Sequence, residues 1–186
     1  MLKILVPKKE LFNDNTSEFI TIDETWLTLE HSLVSVSKWE SKWHMPYLNN
    51  DPNKPKTREQ IIDYIRCMTI TPNVNPYVYK ALTPKNIEDI NNYIQNPMTA
   101  TIINNYKKKQ KQKKKVITAE IIYYWMIALN IPQEYQKWHL NKLLTLIDVC
   151  QIENSGDSNK MNYHDTINHY KSVNAARRKA AKAKKK

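Results

Sequence analysis

The sequence predicts a mainly α fold of α+β type: a helical core, a small N-terminal sheet, and a β-ribbon carrying a lysine-rich tip. Three observations carry that expectation. From residue 31 onward apolar residues recur at helical spacing, and several of these stretches follow a Thr or Asn in a capping position. Before residue 31 the chain has short β-branched and aromatic runs instead. The whole chain of 186 residues, 41% hydrophobic and 25% charged, is long and apolar enough for one ordinary domain with its own core and an arm.

The elements follow in chain order. Leu2, Ile4 and Val6 alternate with Lys3 and Leu5 as in a strand, which Pro7 ends. FITI (residues 19–22) and TWLTL (residues 25–29) complete a small sheet. Leu33, Val36, Trp39, Glu40 and Trp43 then share one helical face, and Pro46 stops that helix. After a loop at 49–55, Thr57 and Gln60 form a capping-box pattern ahead of Ile61, Tyr64, Ile65 and Met68. Asn75-Pro76 and Thr83-Pro84 each put a capping side chain before a proline suited to the first helical position. The second begins a helix with Ile87, Ile90, Tyr93 and Ile94 inward, closed by Pro97. TATII (99–103) and VIT (116–118) read as the arms of a two-stranded ribbon whose tip is 104–115. Thr118 caps a helix through Ile121, Ile122, Trp125 and Leu129. After a break at Asn130-Pro132, Leu140, Leu143, Leu144 and Ile147 mark another helix, to about Cys150. These two helices are expected to pack as a hairpin at the centre of the core. Residues 1–153 therefore form the globular domain, and 154–186 a linker, a helix and a basic, disordered tail.

Charge is distributed unevenly. KKKQKQKKK (107–115) and RRKAAKAKKK (177–186) each hold seven cations and no acid. Removing those 14 from the 29 Lys and Arg leaves 15 against 18 Asp and Glu, so the formal +11 belongs to two segments and the remainder is net −3. Lys107, Lys108, Lys109, Lys111, Lys113, Lys114 and Lys115, with Arg177, Arg178 and Lys179, are the candidate polyanion contacts. On solvated extensions they support weak, non-specific attraction to nucleic acid rather than register-fixed binding.

The residues point away from catalysis. A single glycine, Gly156, excludes the glycine-rich loops that cradle nucleotide phosphates. His164 and His169 lack the spacing of a helical zinc pair, so no metal or other cofactor is expected. His139 reads as a partly buried histidine bonded to backbone. Cys67 and Cys150 read as small apolar side chains of a reducing compartment. No apolar stretch reaches the roughly 20 residues of a membrane span, and the first ten residues lack a signal-peptide pattern. Trp26, Trp39, Trp43, Trp125 and Trp138, with Tyr123, Tyr124 and Tyr135, fit either a core or a partner groove. Trp39, Trp43, Tyr124, Trp125 and Trp138 are the candidate partner-binding set.

SVSKWESKWHMPYL (35–48), YIRCMT (64–69), YIQNPMTAT (93–101) and above all ITAEIIYYWMIALNIPQEYQKWHLNKLLTLIDVC (117–150) resemble small proteins of tailed bacteriophages, the tail assembly chaperone group encoded near the tape-measure protein. The likeness covers most of 27–150, and the long lysine run departs from the shorter ribbon tip of that group. The resemblance implies a non-enzymatic morphogenesis protein of the host cytoplasm that binds tape-measure and tail-tube proteins. It also implies that a second, frameshifted length is made, with the lysine-rich end as junction. The alternatives are a virion part, such as a baseplate or connector protein, and a nucleic-acid-binding accessory protein.

Overall fold

The computed structural model describes residues 1–13, 17–49, 55–103 and 116–154. The chain divides into two units, Met1–Gln151 and Ile152–Lys186, and the first holds the fold described here. The lysine run, its ribbon tip, the linker, the final helix and the basic tail all fall outside the described residues.

Strands β1 (Leu2–Val6), β2 (Lys9–Asn13), β3 (Glu18–Ile22) and β4 (Thr25–Leu29) make two antiparallel pairs, β1 with β4 and β2 with β3. Both pairs keep one register. Leu2 faces Leu29 and Val6 faces Thr25, and the same frame continues with Lys9 facing Ile22 and Asn13 facing Glu18. They are two halves of one long hairpin, broken at Pro7, which has no N–H to give to a ladder. Side chains alternate along a strand, so Ile4, Val6, Leu27 and Leu29 share one face while Ile22 lies on the other. All five are buried. The buried face thus switches across the break. Strand β2 was not expected; KELFN has no β-branched run and is held by its pairing with β3.

The first half of the hairpin is hydrogen-bonded on both edges. The chain leaving the second helix lies along β4, where Glu30 N–H donates to Met68 O at 2.9 Å and Ile70 N–H to Thr28 O at 2.8 Å. On β1 the Asn86 side chain donates to Leu5 O at 3.1 Å. Contacts of this kind blunt an edge where they occur.

Five α-helices follow among the described residues: α1 (Leu33–Trp43), α2 (Arg58–Met68), α3 (Pro84–Gln95), α4 (Ala119–Ala128) and α5 (Leu140–Asn154). Of the expected caps, those at Thr57, Asn75 and Thr83 form, and Ser32 adds one that was not expected. Ser32 caps α1, Thr57 with Gln60 and Thr83 with Asn86 make reciprocal capping boxes, and Asn75 starts a short 3-10 turn at Pro76–Lys80. Helix α1 ends at His44, whose φ of 51° is left-handed.

The centre of the core is α1. Its Leu33, Val36 and Trp39 are fully buried, and it packs against α2, α4 and a 3-10 turn at Gln133–Lys137. Burying an aliphatic side chain of this size stabilises the fold by about 1.5–3 kcal/mol. This corrects the expected hairpin of α4 and α5. The break at Pro132 is not a tight turn but the 3-10 segment, and Trp125, Trp138 and Leu144 are only half-buried, leaving Leu140, Leu143 and Ile147 as the buried stripe of α5.

The expected ribbon is also corrected: neither 99–103 nor 116–118 is a strand. Short side chains there satisfy the backbone locally. Asn96 Oδ1 accepts from Met98 N–H at 2.9 Å, Thr99 Oγ1 accepts from Thr101 N–H at 3.1 Å, and Met98 sits at φ 50°. Bonds of this kind compete with a ladder.

Candidate functional site

Helix α4 has the sequence AEIIYYWMIA, apolar all round apart from Glu120. One face of a helix on a core can bury only a stripe, and here that stripe is Ala119, Ile122 and Met126. The surplus is left outside: Tyr124 is 66% and Ile127 76% exposed, three residues apart and therefore neighbours on one face. Lone exposed apolar residues are ordinary, but two large ones side by side on a helix of this composition make a contact surface.

What orients that face lies elsewhere in the chain. The expected Thr118 cap makes no side-chain bond. Instead the Glu40 carboxylate of α1, 7% exposed, reaches the start of α4: Oε2 accepts from Ala119 N–H at 2.7 Å. Its other oxygen accepts from Tyr47 N–H, also at 2.7 Å. A carboxylate at a helix N-terminus satisfies an otherwise orphan N–H and meets the positive end of the helix dipole. The far end closes with Asn130 at φ 54°, Asn130 N–H donating to Ile127 O and Ile131 N–H to Met126 O. Those paired bonds make a Schellman ending with Asn in the left-handed position that glycine usually takes. Tyr123 Oη donates to Gln136 Oε1 at 3.0 Å, tying α4 to the 3-10 turn; burial, with the Glu120 charge second, raises its phenol pKa.

The predicted partner-binding residues do not converge. Trp39 is 0% exposed, with Nε1 donating to Gln60 O at 2.9 Å, so that assignment is corrected: Trp39 is core. Trp43 is half-buried and donates to Asp63 Oδ2. Trp138 stacks on Tyr135 at 3.9 Å, with Lys142 Nζ 4.1 Å above its ring. Only Tyr124 is broadly exposed, with Trp125 half-buried beside it. Sequence reasoning passed over Ile127 and Glu40 as contributors. The signal for Ile127 was a helix with more apolar residues than one face can bury; for Glu40 it was an acid among inward positions. Elsewhere on the hairpin Phe12 and Phe19 pair edge-to-face at 5.2 Å, and Trp26, on the other face of the ladder, stands 60% exposed.

The densest set of titratable side chains is sealed. Tyr64 lies against His31, Oη to Nδ1 at 2.5 Å, and Tyr47 stacks on Tyr64 at 3.8 Å. The His31 and His139 rings are 5.1 Å apart. As expected, His139 is bonded to backbone: Nε2–H donates to Tyr93 O at 3.0 Å, leaving Nδ1 a buried acceptor with no partner. Burial first, and the neighbouring His139 second, lower the His31 pKa to about 3; burial also lowers His139. Glu30 accepts from Tyr93 Oη at 2.7 Å and pairs with the terminal ammonium at 3.0 Å. With His31, Tyr64 and His139 all buried, the cluster is closed to a substrate and acts as polar filling of the core. Cys67 and Cys150 are free thiols, half-buried, and burial raises the Cys67 pKa, which opposes thiolate chemistry. Among the described residues no group of three or more His, Cys, Asp or Glu could hold a metal, and no helix is long and apolar enough to cross a membrane. The candidate polyanion contacts in 107–115 and at Arg177, Arg178 and Lys179 lie outside the described residues.

No protein-family model, curated protein or solved structure matches this chain.

Proposed function

We propose that this chain is a non-enzymatic tail morphogenesis protein that binds tape-measure and tail-tube proteins during phage assembly, using the outer face of α4. One observation carries the reading. A helix held at both ends, by Glu40 and by the Asn130 turn, presents Tyr124 and Ile127 to solvent instead of to the core. An amphipathic helix of a partner laid against such a face would bury those side chains. The resemblance of residues 117–150 to phage tail assembly chaperones supports the choice of partner class. Because both residues are exposed, Tyr124→Ser with Ile127→Ser should leave the unfolding midpoint almost unchanged. Co-expression with a tape-measure segment tests the reading. The unaltered chain should keep the segment soluble and co-purify with it, and the double variant should not. Equal co-purification by both would refute the role of this face.

The two lysine runs favour a second reading, a weak and non-specific contact with nucleic acid, with affinity falling steeply as salt rises.

A further inference from the structure

A cleft of about 630 Å³ runs beside the exposed side of α2, between the end of α1 and the 3-10 turn at Pro76–Lys80. Outside its two lysine runs the chain is net acidic, yet four of the remaining 15 cations, Lys42, Arg58, Arg66 and Lys80, line this one cleft. Two acids, Glu59 and Asp63, also line it. Asp63 is already engaged, bonded to Lys42 Nζ and to Trp43 Nε1. That is the cleft's ion pair among the described residues, so Arg58, Arg66 and Lys80 face only Glu59 and the lining is net positive by two charges.

The floor is different in kind. Ile62 is half-buried there, and the Tyr79 ring is buried beneath the Arg66 guanidinium, 5.2 Å from its centroid. Arg66 is fixed further by donating to Pro76 O. Arg58 and Arg66 stand eight residues apart on α2, about 12 Å along the axis. Lys80, from the 3-10 turn, also lines the cleft, its Nζ 5.1 Å from the centroid of the Tyr77 ring.

We infer that this cleft binds an acidic, amphipathic peptide segment of a protein partner: carboxylates on the cationic rim, an apolar side chain on the Ile62–Tyr79 floor. This rests on the reading of the chain as a protein-binding protein and adds a second contact with different chemistry. Nucleic acid fits the cleft less well. Base stacking needs an open aromatic face, and Tyr79 has one face under Arg66 and little exposure.

The test uses the full chain and three fluorescent probes: a helical peptide with a Glu face and a Leu/Phe face, the same peptide with Gln for Glu, and a single-stranded oligonucleotide. Arg58→Gln with Lys80→Gln removes two rim charges without touching Arg66, the Lys42–Asp63 pair or the lysine runs. The acidic peptide should bind more tightly than its Gln counterpart. The double variant should weaken it a few-fold to about tenfold, more at low salt, with oligonucleotide binding and the unfolding midpoint unchanged. Tyr124→Ser with Ile127→Ser should leave the probe's affinity intact. The inference fails if acidic and Gln peptides bind alike, if the rim substitutions have no effect, or if they weaken the oligonucleotide instead. It fails equally if the α4 variant abolishes peptide binding, which would place the probe on α4. Failure here with co-purification of the tape-measure segment preserved would leave the proposed function standing.

Discussion

Replacing Glu40 tests how the fold presents α4. Each oxygen of this buried carboxylate accepts one backbone N–H, from Tyr47 and from Ala119, and the second contact spans 79 residues of sequence. Hydrogen bonds to a charged group contribute about 1.5–3 kcal/mol each, and a negative charge at a helix N-terminus adds about 0.3–1 kcal/mol. Glu40→Gln keeps the shape but retains one acceptor oxygen, turning an NH2 group toward a backbone N–H. Loss of one charged bond and of the dipole contribution gives an expected cost of about 2–4 kcal/mol. Glu40→Ala leaves both N–H groups unpaired and a cavity beside α1, for about 3–5 kcal/mol. The assay is urea unfolding followed by tryptophan fluorescence, paired with hydrogen exchange of the Ala119 amide. Both variants should lower stability, Ala more than Gln, and the Ala119 amide should lose protection in each. A cost under about 0.5 kcal/mol for Glu40→Gln, with that amide still protected, would refute the argument that this carboxylate caps α4.

Other outcomes follow from the same geometry. His31 titrates near 3 in the fold against 6.5 in the unfolded chain, so only the unfolded state takes up its proton between those values. The stability this confers is intact above about pH 6.5 and is lost on acidification toward pH 3, at up to about 1.4 kcal/mol per pH unit, with His139 adding in the same direction. Denaturant midpoints measured from pH 7.5 to 4 should show this, and His31→Gln should make the slope shallower. Leu143→Ala should cost about 2–5 kcal/mol, and Leu144→Ala clearly less because that side chain is half-buried; equal costs would contradict the α5 stripe described above.

Local chemistry was the legible part of this fold. Thr57 with Gln60, Thr83 before Pro84, and the Leu33–Val36–Trp39 stripe are written within a few residues of where they act, and each formed as expected. What was hidden depends on distant partners. KELFN becomes a strand because β3 lies opposite it. TATII carries β-prone residues, but Asn96 and Thr99 bind nearby backbone first. The cap of α4 comes from α1, so Thr118 misled as the nearest candidate. Tryptophans invited a binding assignment by type alone. Trp39 and Trp43 show why that fails, since the same residue type on one helix is fully buried at one position and half-buried at the other. Tyr124 was named for its aromatic type as well, and its exposure follows from α4 carrying more apolar surface than a core stripe requires. The cationic cleft was not, because Lys42, Arg58, Arg66 and Lys80 come from three separate elements.

The central claim, a morphogenesis protein that binds tail components and then departs, is tested most directly by quantitative mass spectrometry of infected cells and of purified mature particles. The account predicts the chain in cell lysate, recovered in complex with the tape-measure protein, and its absence from finished particles. A fixed copy number in mature particles, with no complex in the lysate, would contradict it and make the chain a structural part of the virion.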